Sequence, residues 1–182
     1  MGKSKNPSTA CIIPSFLYLS PASTASSLKF LQTHQISTII SIGKTPSQKY
    51  PTIETAHGPE SITYHRLGLE DKEDANLTKC VDAACAILEE ARAARNRVLV
   101  HCSAAISRSP AVVAGYLVTC WGYTLDEALE VLRKVRPVVS PNRGFLEQLG
   151  VMEGEVRGRG GRVEVEREEG VEEEQAEQPS AD

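Results

Sequence analysis

The feature that most constrains this fold is a short apolar run, Arg97–His101 (RVLVH), that stands between two helical patterns. Before it, apolar residues recur at the i, i+4, i+7 and i+11 spacing over Leu77–Ala94, which is typical of an amphipathic helix. After it, a short loop leads to Pro110, a residue that is favoured in the first turn of a helix. A strand between two helices predicts an α/β domain, in which a central, mostly parallel, twisted sheet is flanked by helices.

The rest of the chain repeats this alternation of strands and helices. Cys11–Ile13 and Phe16–Leu19 predict a hairpin, and the β-branched run Ser37–Ile42 predicts a buried strand. Residues 43–60 are rich in glycine and proline and predict a loop. A further strand is expected over Ile62–Leu67, and helices are expected over Ala22–Thr33 and Pro110–Cys120. Two more helices should begin at Thr124, which forms a capping box with Glu127, and at Ser140.

Charge divides the 182-residue chain into a body and a tail. Residues 153–182 hold 11 acidic residues and 4 arginines without an apolar period, so we expect an acidic, disordered tail there. Residues 1–10 are polar and predict a flexible N-terminal arm. The span between them, residues 11–152, has the length of one catalytic domain. Residues 1–152 together carry a small positive charge, which is compatible with an anionic substrate.

Composition argues against several classes of protein. No apolar stretch reaches the ~20 residues that span a bilayer, and no charged and apolar leader opens the chain. The five cysteines show no zinc-like spacing, which favours free thiols in a reducing compartment, the cytoplasm or the nucleus. The body is too weakly basic to predict a nucleic-acid partner. The oligomeric state stays open.

The candidate site is the loop after the central apolar run, residues 102–108, which we name the anion loop. Ligands of open α/β sheets bind where such loops pass from a strand into a helix. Backbone amides at this point have no obligatory helical partner, so several can converge on one anion at the positive end of the helix. A guanidinium can hold two oxygens of the same anion, as in a phosphate monoester. The expected binding residues are Ser103, Ala104, Ala105, Ile106, Ser107 and Arg108.

Cys102 opens this loop and is the candidate nucleophile. The converging amides, the helix dipole and Arg108 all favour its thiolate over its thiol. A thiolate beneath a bound phosphate can attack phosphorus and form a phosphocysteine. We expect Ser109 to donate a hydrogen bond to the sulfur when it leaves, and His101 to fix the loop through its imidazole.

The pattern Cys102-x5-Arg108, inside VHCSAAISRSP, resembles the signature of cysteine-dependent protein tyrosine phosphatases. It is most similar to that of the dual-specificity phosphatases, whose usual form is His-Cys-x-Ala-Gly-x-Ser-Arg-Ser. Further segments that are similar to this family follow at Ala111–Leu117, Thr124–Ala128 and Val135–Leu149. The resemblance, which is to the small atypical members, covers about residues 11–152.

This resemblance implies a protein tyrosine phosphatase-like fold and phosphorylated proteins as substrates, with hydrolysis of phosphotyrosine and phosphoserine/threonine and no metal or cofactor. It also implies a general acid, an aspartate upstream of the helix that precedes the signature strand. The stretch LGLEDKEDANL offers Asp71 and Asp74, and we favour Asp71 because its spacing to the helix is similar to that in the family. Asn142 is expected to support the site or only to start the last helix, and Arg143 to border the cleft.

One residue departs from the family pattern, since Ala105 stands where glycine is usual. If the backbone φ is positive at this position, a Cβ costs ~1 kcal/mol and can distort one amide of the loop. The sequence therefore leaves two alternatives open. One is a phosphoprotein-binding module with low turnover, and the other is a phosphatase that acts on a non-protein phosphate.

Overall fold

The structure, a computed structural model, describes residues 10–55 and 58–159 of the chain. Its strands are β1 (Ala10–Ile13), β2 (Leu17–Pro21), β3 (Ile36–Ile42), β4 (Thr52–Thr55), β5 (Gly58–Ser61), β6 (Thr63–Leu67) and β7 (Arg97–Cys102). Its helices are α1 (Ala22–Ala25), α2 (Leu28–Thr33), α3 (Leu77–Ala93), α4 (Arg108–Trp121), α5 (Leu125–Val135) and α6 (Arg143–Gly158). Within the described ranges, no helix has both the length and the apolar character needed to cross a membrane.

Strand β7 lies at the centre of a five-stranded sheet with the order β1-β2-β7-β3-β6. It runs parallel to β2 and β3, and β6 runs parallel to β3, while β1 forms an antiparallel hairpin with β2. The carboxyl ends of the parallel strands therefore lie along one edge, and the anion loop leaves β7 from the middle of that edge. The predicted α/β fold with a mostly parallel sheet is confirmed.

The two faces of the sheet are covered by different helices. Alternate residues of β7 point to opposite faces, so Val98 and Val100 pack with α3 to α6, whereas Leu99 packs in a smaller cluster with α1 and α2. Tyr116 of α4 and Phe145 of α6 are among the largest fully buried side chains. Because both faces are covered, β7 and the start of the anion loop are fixed from both sides.

Two elements differ from the sequence prediction. The helix predicted over residues 22–33 is two helices, because Ser27 leaves the helix and accepts a hydrogen bond from the Phe30 amide as the N-cap of α2. The loop predicted over residues 43–60 contains the hairpin β4–β5, whose Ile53 is buried in the smaller cluster. A single buried residue between exposed neighbours is too short a pattern to predict a strand.

The last helix extends past the boundary predicted at residue 152. Helix α6 continues to Gly158, and two i, i+4 ion pairs support its last turns, Glu153–Arg157 at 2.8 Å and Glu155–Arg159 at 3.5 Å. Residues 153–158, the first six of the expected disordered tail, are therefore helical, which differs from the prediction. Residues 160–182 of the expected tail, and residues 1–9 of the expected arm, lie outside the described residues.

Candidate active site

The anion loop joins the buried end of β7 to the N-terminus of α4. Cys102 is the last residue of β7 and is 2% exposed, and Arg108 is the first residue of α4. Helix α4 is buried along most of its length, so its N-terminus, the positive end of the helix dipole, is fixed against the loop.

Hydrogen bonds to carbonyl groups hold this loop from outside. The Ser103 carbonyl accepts a hydrogen bond from the backbone N–H of Ala22 at 3.3 Å. The Ile106 carbonyl accepts one from the backbone N–H of Ser140 at 2.8 Å. A trans peptide directs its N–H away from its C=O, so the amides that follow these carbonyls point to the inside of the loop.

Arg136, which is 7% exposed, holds the two carbonyls in between. Its Nη2 donates to the Ala104 carbonyl and its Nε to the Ala105 carbonyl, each at 2.8 Å. Burial lowers the pKa of Arg136, and the electrostatic interaction with Cys102 opposes that shift. The carbonyls of residues 103–106 thus all accept hydrogen bonds from groups outside the loop. The amides of residues 104–107, which follow them, therefore face inward, as an anion site requires.

Arg136 was missed by the sequence analysis. It stands before Pro137 at the end of α5, a place that is equally typical of a solvent-exposed cation at a helix C-terminus. Only the packing of α5 beside the anion loop turns this side chain into a support for the site.

The sulfur of Cys102 lies within the ring of inward-facing amides. It accepts hydrogen bonds from the backbone N–H of Ala105 and from the hydroxyl of Ser109, each with 3.2 Å between the heavy atoms. Cys102 and Ser109 are both buried. Donors placed in this way stabilise negative charge that develops on a sulfur atom. The predicted nucleophile and its predicted hydroxyl donor are adjacent.

Ala105 adopts a φ of 52°, in the left-handed region that favours glycine. This conformation explains why glycine is usual at the position. The Ala105 amide nevertheless donates to the Cys102 sulfur, so the methyl group does not displace this amide from the ring.

The guanidinium of Arg108 lies beside the mouth of the loop. Its Nη2 donates to the Ser103 hydroxyl at 3.0 Å, and its Nε is 3.7 Å from Oδ2 of Asp71. Among the described residues, this Nε is buried without a hydrogen-bond partner. A buried guanidinium N–H that lacks a hydrogen-bond partner and lies beside inward-facing amides fits a doubly charged oxyanion.

Gly43 provides the space for this guanidinium. It follows β3 with a φ of +82°, and a Cβ at this position would lie 2.6 Å from Nη1 of Arg108. The sequence pattern places Gly43 only in a loop. Its contact with Arg108 depends on β3 and β7 being neighbours in the sheet.

Asp71 lies next to the anion loop in a mostly exposed segment, residues 68–76, which we name the acid loop. Its Oδ1 accepts hydrogen bonds from the Ser107 hydroxyl at 2.7 Å and from the side-chain amide of Asn142 at 3.0 Å. Its Oδ2 faces Arg108. The structure therefore brings Asp71 to the site.

Two other candidates make their described contacts outside the anion loop. Asp74 lines a separate cleft of about 560 Å³ between the end of β6 and the start of α3, and no residue of the anion loop lines that cleft. Arg143 is exposed and pairs with Glu147 at 2.8 Å on the surface of α6. Neither side chain touches Cys102 or Arg108 among the described contacts.

Asn142 combines the two roles that the sequence left open. Its side-chain oxygen accepts a hydrogen bond from the Phe145 amide at 2.9 Å and so caps α6. Its side-chain amide binds Asp71, and its backbone N–H donates to the Ser107 hydroxyl at 3.2 Å. One residue thus fixes both the helix start and the carboxylate.

Helix α6 also holds the rest of the acid loop. The side-chain oxygen of Gln148 accepts a hydrogen bond from the Leu77 amide at 2.9 Å, and its side-chain nitrogen donates to the Ala75 carbonyl at 2.9 Å. The Glu73 carbonyl approaches Gly144 so closely that a Cβ there would overlap it. These contacts join segments more than 65 residues apart, and the sequence offered no signal for them.

His101 lies directly beneath the loop and is fully buried. Its Nδ1 is 3.3 Å from the Cys102 carbonyl, and its Nε2 is 2.8 Å from the Ser41 hydroxyl. Burial lowers the pKa of His101, and the hydrogen bond to the carbonyl opposes that shift. A neutral ring with its proton on Nδ1 donates to the carbonyl and accepts from the hydroxyl, which suits the expected structural role.

Comparisons with known proteins agree with this geometry. The family model of the dual specificity phosphatase catalytic domain matches residues 17–155. Dual specificity protein phosphatase 1 of Arabidopsis thaliana is 34% identical over 142 residues, which are 78% of this chain and 68% of that protein. Protein phosphatase Slingshot homolog 3 of Rattus norvegicus is 36% identical over 138 residues, 76% of this chain and 20% of that protein.

This chain thus spans about a fifth of the length of the Slingshot relative. A crystal structure of a human DUSP28 variant superposes on this chain with a TM-score of 0.74 at 27% sequence identity. The superposition covers 84% of this chain and 99% of that one. The match over residues 17–155 and the shared fold lead to one conclusion: the chain belongs to the family of dual specificity phosphatase catalytic domains.

Proposed function

We propose that this chain hydrolyses phosphate monoesters on proteins, on phosphotyrosine and on phosphoserine or phosphothreonine, through a phosphocysteine intermediate. The observation that carries the proposal is the position of the Cys102 sulfur, which receives an amide and a hydroxyl hydrogen bond at the N-terminus of α4. Membership of the dual specificity phosphatase family supports this class of reaction.

In the first step, the thiolate of Cys102 attacks phosphorus. The S–P bond forms while the bond between phosphorus and the side-chain oxygen of the substrate breaks. The inward-facing amides and the guanidinium of Arg108 stabilise the charge on the three other oxygens of the phosphoryl group.

Asp71 donates a proton to the leaving oxygen in the same step. Ser107 and Asn142 both donate to Oδ1 of this carboxyl group. Oδ2 is therefore the oxygen that carries the proton to be transferred, and it lies on the side of Arg108.

In the second step, water attacks the phosphocysteine. The ionised carboxylate of Asp71 takes a proton from that water, the S–P bond breaks, and inorganic phosphate is released. The hydroxyl of Ser109 donates to the departing sulfur and stabilises the thiolate.

Two features favour a phosphate on a protein. Between Cys102 and Arg108 there is no lysine that could bind the additional phosphates of a phosphoinositide headgroup. Ile106, at the crest of the anion loop, is 41% exposed and offers an apolar contact to the substrate side chain. Phosphorylated proteins are therefore the substrate class that we propose.

Turnover of an aryl phosphate and of phosphopeptides tests the proposal. Cys102→Ser should reduce kcat by about 10,000-fold or more, because it removes the nucleophile. Arg108→Lys should reduce kcat/KM by about 100- to 1,000-fold, because a point charge cannot replace the planar fork. The exposed Cys11→Ser serves as the control and should leave both unchanged.

A phosphate adduct on Cys102, trapped by acid during turnover and located by mass spectrometry, is the direct evidence for the intermediate. Tight binding of phosphopeptides by the unmodified chain without turnover would overturn the proposal and identify a binding module instead.

A further inference from the structure

Outside the active site, two half-buried cysteines meet where α3 packs against α4. The Thr119 hydroxyl oxygen is 3.3 Å from the sulfur of Cys85 and 3.6 Å from the sulfur of Cys120. Both sulfurs thus lie at one hydroxyl group, and the ionisation of each thiol affects that of the other. They therefore form a preassembled pair, to which the proposed mechanism assigns no role.

Tight packing of the two helices produces this proximity. A Cβ at Gly115 would lie 2.5 Å from the Val81 side chain, so α3 and α4 approach closely at this level. Residues four apart lie on the same face of a helix. Cys85 and Thr119 therefore continue, one turn further along, the contact that Val81 and Gly115 begin.

The electrostatic surroundings make the two thiols unequal. Hydrogen bonding to Cys85 lowers the pKa of Cys120 to about 7, a shift that Arg92 supports and that burial and Glu89 oppose. The same hydrogen bond and burial raise the pKa of Cys85. The Arg92 guanidinium pairs with Glu89 at 2.7 Å and lies 5.8 Å from the ring centroid of Trp121. These contacts keep a cation near the two thiols.

The pair lies far from the catalytic cysteine. Cys120 is in the last turn of α4, 12 residues beyond Arg108, which corresponds to ~18 Å along the helix. Disulfide formation needs Cα atoms within about 7 Å of each other. Cys120 is therefore unable to resolve an oxidised Cys102, and any redox chemistry of the pair is its own.

We propose that Cys85 and Cys120 form a redox-active dithiol that reacts with small disulfides of the glutathione class. The Cys120 thiolate attacks one sulfur of the small disulfide, which forms a mixed disulfide and releases one thiolate. Cys85 then loses its proton to solvent and attacks the Cys120 sulfur, which closes the Cys85–Cys120 disulfide and expels the second small thiolate. Two electrons pass from the pair to the small disulfide, and both released thiolates take up protons.

Reaction of the 182-residue chain with oxidised glutathione tests this dithiol. The chain carries Cys102→Ser so that the catalytic cysteine does not react. After incubation, free thiols are blocked with iodoacetamide and peptides are analysed by mass spectrometry without reduction. We expect a Cys85–Cys120 cross-link within one chain as the main new disulfide, with the loss of two thiols per molecule.

Single variants separate the two steps. With Cys85→Ala, the reaction should stop at a glutathione adduct on Cys120. With Cys120→Ala, Cys85 should remain unmodified. At pH 7 iodoacetamide should alkylate Cys120 about tenfold faster than Cys85, because only a thiolate reacts. In a chain that keeps Cys102, Cys85→Ala should leave aryl phosphate hydrolysis unchanged, since the pair lies at the far end of α4.

Two results would overturn the proposal. One is a glutathione adduct on Cys120 that never closes while Cys85 is present. The other is alkylation of Cys120 no faster than that of Cys85. Circular dichroism of each alanine variant verifies that the helices are intact, so that a negative result reports on the thiols.

Discussion

The anion loop and the acid loop face each other across the site, yet they are held in different ways. The anion loop is fixed through its main chain, with carbonyls bound by Ala22, Arg136 and Ser140 and with buried strands and helices on both sides. The acid loop is exposed from residue 70 to residue 74 and is held by side chains, chiefly those of Asn142 and Gln148.

This difference matches two demands of the proposed chemistry. Attack on phosphorus needs fixed amides around the sulfur, and backbone anchored in the core provides that geometry. Proton donation needs a carboxyl group that reaches a variable leaving group, which an exposed segment allows. Changes to the anion loop should therefore affect stability and every substrate, whereas changes to the acid loop should affect mainly substrates with poor leaving groups.

Among the changes that compare the two loops, Asp71→Asn in the acid loop should have the largest effect. Turnover of a phosphoserine peptide, whose alkoxide leaves poorly, should fall by about 1,000-fold, because no proton is available. Turnover of an aryl phosphate with an acidic phenol should fall much less, and the thermal midpoint should not change. Asp74→Asn is the matched control, and equal losses on both substrates with Asp71→Asn would argue against the acid role.

Arg136→Met tests whether the anion loop depends on its buried support. The buried Ala105 carbonyl and the partly buried Ala104 carbonyl would lose their charged donors, at a cost of ~1–3 kcal/mol each. We expect a loss of about 3 kcal/mol in the free energy of unfolding and about a tenfold loss of kcat/KM that is equal for good and poor leaving groups. Denaturant titration and steady-state kinetics measure the two effects.

The control for Arg136→Met is the exposed Lys134→Met on the same helix, which should change neither quantity. A selective loss on poor leaving groups would contradict the comparison, because that pattern belongs to the acid loop.

Gln148→Leu tests the support of the acid loop. Removing the two hydrogen bonds to Ala75 and Leu77 should loosen Asp71 and reduce turnover of the phosphoserine peptide by about tenfold. Stability should fall by only about 1 kcal/mol. Glu147→Gln, which breaks an exposed ion pair one residue earlier, should have no effect on turnover.

Ala105→Gly tests the strain in the anion loop. Glycine relieves the positive φ but adds freedom to the unfolded chain, and each effect is worth ~1 kcal/mol, so the net change in stability should be small. We expect kcat/KM to stay equal or to rise up to about threefold. Gly122→Ala, at a φ of 65° in the C-cap of α4, shows the cost of a Cβ at such an angle away from the site.

A marked fall in turnover with Ala105→Gly would show that the methyl group supports the loop rather than straining it.

The smallest effect concerns pH and His101. Folding lowers the pKa of His101 below its ordinary value of about 6.5. Below pH 6.5 the imidazole therefore binds protons more readily in the unfolded chain than in the folded one. The contribution of the neutral imidazole to the free energy of unfolding is thus lost as the pH falls. Between pH 6.5 and 5, the free energy of unfolding should decrease less steeply in His101→Gln than in the unmodified chain. Equal slopes would show that the imidazole does not titrate with folding.

Much of the site follows from residues that are close in sequence. Cys102, Arg108 and Ser109 lie within eight residues, and a strand, a tight loop and a helix fix their relative positions through local backbone geometry. The alternation of strands and helices likewise predicted the parallel sheet. The β4–β5 hairpin was not predicted, because its strand β4 has one buried residue, Ile53, and the burial of Ile53 depends on the smaller cluster against which it packs.

The amino-acid sequence by itself predicted the sheet class, the candidate nucleophile, the anion loop and the position of a residue with positive φ, because each is encoded over a few consecutive residues. Only the tertiary structure placed Asp71 rather than Asp74 beside the anion loop, brought Arg136, Gly43 and Gln148 to the site, and brought Cys85 and Cys120 to the Thr119 hydroxyl. Those contacts join distant segments, and they depend on how helices pack on the sheet rather than on spacing along the chain.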